Sequence, residues 1–211
     1  MSITAGKVFY DGLDELEKLR EKFSYYPRDI WLCLLSAQWM KISQEEAFVG
    51  RCGDMGDETG SRIIANRIIR FLMELCFLME RKYAPYNKWF GTAFSKLELA
   101  RELTPIIKQI QSAVIWKERE QYLSQAYEVV AKKHNSLNIT APLDTKVTLY
   151  YGRPYLVIHA GHFAEEIKKA ITDKEVKKIS EKNIGSVGQF IDSTDVISHA
   201  DLCKKLKVVY K

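Results

Sequence analysis

Apolar residues recur at intervals of three and four positions along much of the first two thirds of the chain. They do so over 13–23, 31–49 and 116–135, and this spacing places them on one face of a helix. Pro27 is predicted to open the second helix, because proline lacks only the N–H that a first turn leaves unpaired. Three glycines are predicted to end that helix, namely Gly50, Gly53 and Gly56.

A third helix is predicted from about 57–59 to Lys82, apolar on nearly all sides after Ile68. A helix of this kind belongs at the centre of a bundle. It nevertheless carries polar residues at successive steps of four, which share one face; they are Arg62, Asn66, Arg70 and Glu74. Buried charges need partners. This polar ladder of Arg62, Asn66, Arg70 and Glu74 therefore either joins adjacent helices through an Arg70–Glu74 pair or faces a ligand in a cleft.

The pattern changes after about residue 140. The runs 146–151 and 155–159 are strand-like and flank a Gly-Arg-Pro turn, which indicates a β-hairpin. Helical spacing returns afterwards, in short pieces. Before the change, 94–103 is predicted to be helical, and Pro105 is predicted to restart a helix. We therefore predict a mainly α fold, a multi-helix bundle of five to six helices with a β-hairpin and short helices at the C-terminus. Residues 1–140 would form the bundle and 141–211 would pack on it as one domain.

The end of the third helix combines cationic and aromatic residues at a point where the helix must break. The segment 79–90 reads MERKYAPYNKWF, and Pro85 lies within it. Such side chains pack poorly in a core but suit an anionic ligand or an acidic neighbouring domain. The residues concerned are Arg81, Lys82, Tyr83, Tyr86, Lys88 and Trp89.

Polar residues also interrupt the apolar stripe of the second helix. Glu45 lies where leucine is expected, so it is a candidate general base or hydrogen-bond anchor; alternatively, it pairs with an arginine of the third helix. The glycine-rich loop 51–62 precedes a helix N-terminus, a common phosphate site. Asp57 and Glu58 would compete with an anion there, which favours capping of the helix.

Composition limits the function classes. The net charge of +5 comes from 32 basic and 27 acidic residues, a mild excess that permits an anionic partner without favouring nucleic acid. The four cysteines form no CxxC pair, which favours free thiols in a reducing cytoplasm over disulfides or a metal site. The most apolar window, 68–79, is too short to span a membrane. A cytoplasmic protein is expected. The first ten residues carry no helix-start signal and read as the continuation of an upstream segment, as in a fragment of a longer protein.

Two short motifs resemble metal sites without completing them. Ile184-Gly185-Ser186 is followed by Asp192 and Asp195, but acids three apart fit a helix start better than a magnesium site on a strand. His159 and His162 have no evident third ligand. We expect no metal site in this chain.

Several segments together are similar to a known family. They are YYPRDIWLCLLSAQW, QEEAFVGRCGDMGDETGSRI, LMERKYAPYNKWFGTAF, AYEVVAKKHNSL and IGSVGQFIDSTDV. They resemble the helical domain of unknown function found C-terminal to bacterial nucleotidyltransferase-like domains, over about 8–210. Related helical domains in aminoglycoside nucleotidyltransferases form the acceptor side of a cleft. The resemblance implies that the nucleotide and magnesium belong to a catalytic domain that this chain lacks, so no cofactor is expected here.

The resulting hypothesis is a substrate-recognition domain that is not an enzyme on its own and works with a nucleotidyltransferase domain on another chain or missing segment. Glu45 is the candidate base. The expected binding residues for a small-molecule or nucleotide ligand are Arg62, Asn66, Arg70, Glu74, Lys82, Tyr83, Tyr86, Lys88 and Trp89. One alternative is a non-catalytic nucleotide- or protein-binding module. Another is a folded remnant or dimerisation unit.

Overall fold

The computed structural model describes Thr4 and residues 6–211. The described chain is mostly helical with one two-stranded antiparallel sheet and short helices at the C-terminus, which confirms the predicted fold class. The bundle contains α1 (Leu16–Lys22), α2 (Arg28–Glu45), α3 (Phe48–Asp54), α4 (Glu58–Met79), α5 (Asn87–Phe94), α6 (Ala100–Ser112) and α7 (Trp116–Ser136). The last third contains β1 (Thr148–Tyr150), β2 (Arg153–Val157), α8 (Ala160–Lys169), α9 (Lys174–Ser180), α10 (Val187–Phe190), α11 (Thr194–Ser198), α12 (Ala200–Lys205) and a 3₁₀-helix (Leu206–Tyr210).

Helix α2 lies in the middle of the hydrophobic core. Every residue from Trp31 to Trp39 is buried, so this part of α2 is covered on all sides. Helices α4 and α8 pack against it, and Trp39 stacks on Phe163 of α8 with the ring centroids 4.4 Å apart. Side chains of the bundle and of the last third therefore share one core.

The β-hairpin is short and irregular. Thr148 pairs with Val157 and Tyr150 pairs with Arg153, with a register shift between Leu149 and Tyr150. Pro154 lies within β2. Proline is tolerated there because both strands of a two-stranded sheet are edge strands, which need not donate from every N–H.

The prediction that Gly50 and Gly53 end a helix is wrong. Helix α2 ends at Glu45, and both glycines lie inside α3. They allow close packing instead: a Cβ on Gly53 would overlap the side chain of Trp116. A Cβ on Gly50 would lie 2.7 Å from the ring of Tyr155. The two glycines were predicted to end a helix, but in the structure their missing side chains let α3 pack closely against α7 and β2.

The boundary between α5 and α6 also differs from the prediction. Phe94 ends α5, and Ala100–Ser112 is one continuous helix with Pro105 inside it. Proline removes the N–H that would pair with the carbonyl of Arg101, and its ring crowds that carbonyl. Pro105 lies on the exposed side of α6, while Leu103 and Ile110 on the other side are buried and stabilise the helix. The helix therefore tolerates the proline.

The apolar stripe of α1 is helical but does not face the core. None of the residues of α1, all of them described, is buried. Leu13 is 80% exposed and Phe23 is 47% exposed. The spacing therefore predicted the helix correctly, while no described residue buries its apolar face.

Glu46 joins the two parts of the core by a polar contact. Its carboxylate accepts hydrogen bonds from the N–H groups of Ile158 at 2.9 Å and Ala160 at 3.1 Å. His159 between them adopts a left-handed conformation with φ of 54°. Burial raises the pKa of Glu46 to about 7, although these backbone hydrogen bonds act in the opposite direction. The side chain after α2 thus positions the corner between β2 and α8.

A second buried carboxyl lies on α7. Glu120 is 7% exposed, and its Oε1 atom has no hydrogen-bond partner among the described residues. Burial raises the pKa of Glu120 to about 7, against a hydrogen bond from the backbone of Leu156 that lowers it. The buried phenol of Tyr127, whose pKa is raised by burial and then by nearby glutamates, lies on the same helix. These groups favour the neutral carboxyl in the folded state.

Two further observations concern the predictions about a membrane span and about the cysteines. No helix in the described part of the chain is both long and apolar enough to cross a membrane. The cysteines at 33, 52, 76 and 203 are free thiols, and Cys33 and Cys76 are buried. The cytoplasmic location remains a prediction.

We expect Gly53→Ala to lower the free energy of unfolding by roughly 1–3 kcal/mol, because the added methyl group overpacks the contact with Trp116. Gly91→Ala is the matched control, since Gly91 lies inside α5 and a Cβ there meets nothing within 4 Å. It should stabilise the protein by about 0.5–1 kcal/mol through helix propensity. Urea unfolding of both variants measures the difference, and equal effects would contradict this account of α3.

We expect Glu120→Gln to change the pH dependence of stability. A carboxyl with a raised folded pKa binds a proton on folding, so its penalty is absent below about pH 4.5 and fully present above about pH 7. As the pH rises from 4.5 to above 7, the free energy of unfolding of the variant should therefore increase relative to that of the wild type, by on the order of 1–3 kcal/mol in total. Urea unfolding at pH 4.5 and pH 8 measures this. The exposed Glu118→Gln on the same helix should follow the wild type, and a parallel profile for Glu120→Gln would refute the assignment.

Candidate functional site

A cleft of about 520 Å³ lies where the chain leaves α4, a volume within the usual range for small-molecule sites. One wall is the break 82–86 with the start of α5, and the other is the segment containing α10 and α11. The base is formed by α2 and α4. Its lining consists of Tyr26, Leu34, Gln38, Arg70, Glu74, Phe77, Leu78, Lys82, Tyr83, Ala84, Pro85, Tyr86, Asn87, Phe90, Ser186, Gly188, Gln189, Ile191, Asp192, Thr194, Ile197 and Ser198.

The break after α4 is held in a fixed conformation. Glu80 follows the helix, and its carboxylate accepts hydrogen bonds from the N–H groups of Glu98 and Leu99, both at 3.0 Å. Arg81 then adopts a left-handed conformation with φ of 51°. Its guanidinium lies over the ring of Trp31 at 4.2 Å. Arg81 is thus directed to the core surface, while the residues after it line the cleft.

Aromatic residues form much of one wall. Tyr83 and Tyr26 meet edge to face with centroids 5.0 Å apart, and Tyr25 packs against both. The hydroxyl of Tyr83 donates to the carbonyl of Phe23 at 3.2 Å. Burial raises the pKa values of Tyr26 and Tyr83, so both phenols are neutral. The wall offers ring faces and edges rather than charge.

A hydrogen-bond network joins the base of the cleft to its C-terminal wall. The buried amide of Gln38 donates to the carbonyl of Phe71 and to Glu74, each at 3.0 Å. Gln189 of α10 donates to the amide oxygen of Gln38 and to the carbonyl of Leu34, also at 3.0 Å each. The amide of Gln38 is therefore fully used. The position of α10 depends on these contacts because a buried polar group needs its partners.

Charge in the cleft is partly paired. Glu74 accepts from Arg70 at 3.1 Å and lies 3.5 Å from Lys41. Burial lowers the pKa of Lys41, while Glu74 raises it. Arg70 also donates to the side chain of Asn87 at 2.9 Å and remains 43% exposed. Lys82 is exposed and has no ion-pair partner within the described residues, which leaves a cation available at the cleft.

The structure brings together five of the residues expected from the sequence to bind a ligand. They are Arg70, Glu74, Lys82, Tyr83 and Tyr86. Lys88 and Trp89 lie on α5 outside this lining, with the Lys88 ammonium 5.3 Å from the Trp89 ring centroid. Arg62 and Asn66 line a separate, smaller pocket. The polar ladder of α4 is thus divided between two sites, and its Arg70–Glu74 pair is both an ion pair and part of a cleft.

Glu45, the candidate base, does not line the cleft. Its carboxylate lies 2.6 Å from the guanidinium of Arg67 on α4. Burial raises the pKa of Glu45, while Arg67 lowers it. The sequence analysis left open, as the alternative, that Glu45 pairs with an arginine of the predicted third helix. That helix is α4, and Arg67 is the arginine.

Sequence reasoning missed the contribution of the C-terminal segment. Gln189, Asp192 and Ile197 all line the cleft. One signal was present: Ser186 and Gln189 form a capping box that starts α10. That motif identifies a helix start, but it does not indicate that the same glutamine also contacts Gln38.

The polar side chains of the remaining motifs contact nearby residues of the chain. The side chain of Asp57 accepts from the N–H of Gly60 at 2.7 Å and caps α4, as predicted. His159 contacts Thr148 at 2.9 Å, and His162 lies 3.6 Å from Glu166. Among the residues that the structure describes, no three His, Cys, Asp or Glu side chains are arranged to hold a metal ion.

Comparison with known proteins adds one match. A family model described as a domain of unknown function, DUF4037, matches residues 1–90. The match includes α1–α4 and the break up to Phe90, which contain the base and one wall of the cleft. The C-terminal wall lies outside it. No curated protein and no solved structure matches the chain.

We expect Gln189→Ala to loosen the C-terminal wall. It removes three hydrogen bonds, one of which is the bond from the N–H of Ser186 in the capping box of α10. It also leaves the amide oxygen of Gln38 buried without this donor, at a cost of about 1–3 kcal/mol. Amide hydrogen exchange should become faster over 186–198 and remain unchanged in α7. The control is Gln125→Ala at an exposed position of α7. Unchanged exchange over 186–198 would show that the network does not hold this wall.

Proposed function

We propose that this chain is the substrate-recognition domain of a nucleotidyltransferase-like system and binds the acceptor in the cleft between the α4–α5 break and α10–α11. The observation that carries the proposal is the lining itself. Tyrosine rings, a partly exposed arginine and the unpaired Lys82 converge on one cavity of ligand size. The resemblance of the break and of the IGSVGQFIDSTDV segment to nucleotidyltransferase-associated helical domains supplies the system to which we assign it.

The lining favours an acceptor with an apolar or aromatic part and one anionic group. The positive charges at the cleft are those of Arg70, Lys82 and the nearby Lys41, and the negative charges are those of Glu74 and Asp192, which leaves a small positive excess. Tyr83 and Tyr86 would contact the flat or apolar part. A polycationic acceptor such as an aminoglycoside fits less well, because it would meet cations of the same sign.

We assign the chemistry to another domain. The candidate base, Glu45, is paired with Arg67 outside the cleft. Among the described residues no three His, Cys, Asp or Glu side chains are grouped to hold a metal ion, and the proposal assigns the metal ion to the other domain. In this proposal the chain binds and orients the acceptor, and a catalytic domain on another chain or segment holds the nucleotide and the metal ion.

A second candidate is a non-catalytic protein-binding module. The exposed apolar face of α1 favours it, because Leu13, Leu16 and Leu19 are each at least 40% exposed, and Phe9 and Tyr10 nearby are 90% and 86% exposed. Contiguous exposed apolar patches mark interaction sites. This candidate places function at α1 and leaves the cleft without a ligand.

We expect a thermal-shift screen to identify a stabilising ligand of the cleft. The compounds are nucleotides with and without Mg²⁺, sugar phosphates, aromatic carboxylates and aminoglycosides. A ligand present at a hundredfold excess over its Kd stabilises by about 2.7 kcal/mol. Lys82→Ala should raise the Kd of this ligand at least tenfold and therefore reduce the thermal shift. Lys88→Ala is the matched control, because it removes the same charge six residues away at an exposed position outside the cleft lining.

The outcomes separate the two candidates. A shift that is lost in Lys82→Ala and kept in Lys88→Ala supports ligand recognition in the cleft. A shift lost equally in both variants indicates a general charge effect and contradicts the assignment. If no compound shifts the wild type while Leu13→Asp with Leu16→Asp abolishes association with a partner protein, the protein-binding module is the better description.

A further inference from the structure

A second pocket lies between α4, α6 and α7 and shares no lining residue with the cleft. Its volume is about 90 Å³, and its lining is Arg62, Ala65, Asn66, Ile110, Gln111 and Arg119. Two of these side chains are guanidinium groups and two are amides, while none is acidic. The lining is thus rich in hydrogen-bond donors.

Arg119 is fixed at the inner side of this pocket. Its side chain is 1% exposed. It donates to Glu58 at 3.1 Å, to the hydroxyl of Ser61 at 2.7 Å and to the carbonyl of Ala113 at 3.2 Å. Its Nε–H, however, has no acceptor among the described residues. A buried guanidinium with an unused donor is uncommon, because such a group is expensive to leave unpaired.

Arg62 brings a second positive charge to the same place. Its Nη2 donates to the carbonyl of Val114 at 3.1 Å, and Nη2 of Arg119 donates to that same carbonyl at 3.4 Å. Two cations therefore share one neutral acceptor. Glu58 is the one carboxylate that contacts either of them within the described residues, and it also accepts from the N–H of Trp116. Glu58 offsets one of the two positive charges, so one positive charge remains here without a counter-ion among the described residues, and like charges held this close repel.

We propose that this pocket binds a small oxyanion, either inorganic phosphate or the phosphoryl end of a larger molecule. Arg62 offers a planar fork of donors that matches a tetrahedral oxyanion. The amide of Gln111 and the second N–H of the Asn66 amide, whose first N–H donates to the carbonyl of Arg62 at 2.9 Å, supply further donors at the rim. Ala65 and Ile110 close the floor with apolar atoms. The anion would offset the excess charge of the Arg62–Arg119 pair. The proposal does not depend on the function assigned to the cleft.

The test is a titration with inorganic phosphate followed by ³¹P NMR, with chloride keeping the ionic strength constant. We expect saturable broadening of the phosphate resonance with the wild type. Arg62→Gln should weaken binding at least tenfold. Arg101→Gln, which removes the same charge at an exposed position of α6, should change it less than twofold. Lys82→Ala should also leave it unchanged, which separates this pocket from the cleft.

A parallel titration with glycerol 3-phosphate distinguishes the two sources of the oxyanion. Tighter binding of the ester assigns the pocket to a phosphoryl group of a larger molecule, and tighter binding of the free ion assigns it to inorganic phosphate. Gln111→Ala, at an exposed position, serves as a second variant if Arg62→Gln fails to fold by circular dichroism, and it should weaken binding several-fold. Absence of binding by the wild type, or equal binding by Arg62→Gln and Arg101→Gln, overturns the proposal.

Discussion

The buried amide of Gln38, in the middle of α2, is the constraint on which the arrangement of the cleft depends. Its side chain lies among apolar neighbours, with 0% exposure, so each of its hydrogen-bonding groups must find a partner within the protein. The NH₂ group reaches Phe71 and Glu74 of α4, and the oxygen accepts from Gln189 of α10. Satisfying one amide thereby fixes the distance between α2 and α4 and brings the C-terminal segment over the base of the cleft.

Helix α4 distributes charge to two separate places. Arg70 lies at the cleft, between Glu74 and Asn87. Arg62 lies two turns earlier, beside Arg119 and the carbonyl of Val114. Between them, Arg67 pairs with Glu45. The same helix thus contributes an ion pair that holds helices together and cations that remain accessible to anions. This explains why its polar face resists a single interpretation, either structural or ligand-binding.

The family match ends at Phe90, which divides the cleft between a matched part and an unmatched part. The matched part supplies Arg70, Tyr83 and the rest of the break. The unmatched part supplies the wall with Gln189 and Ile197. Because the two walls come from distant parts of the chain, the shape of the cleft depends on the packing of α8 and α10 on α2.

The sequence by itself determined the helices, the hairpin and the cationic, aromatic break after α4, because periodicity, Pro27 and Gly152 act over a few neighbouring residues. The predicted Gly-Arg-Pro turn is in the structure a turn at 151–152, with Arg153 and Pro154 inside β2. It could not determine that Gly50 and Gly53 lie inside α3, since their role is contact with Tyr155 and Trp116. Only the tertiary structure decided which polar residues face a cleft. Gln189 meets Gln38 across 151 positions of the chain, and Glu45 meets Arg67 rather than a ligand. Packing between distant segments determines the partner of a buried polar group, and the local spacing of residues does not predict that partner.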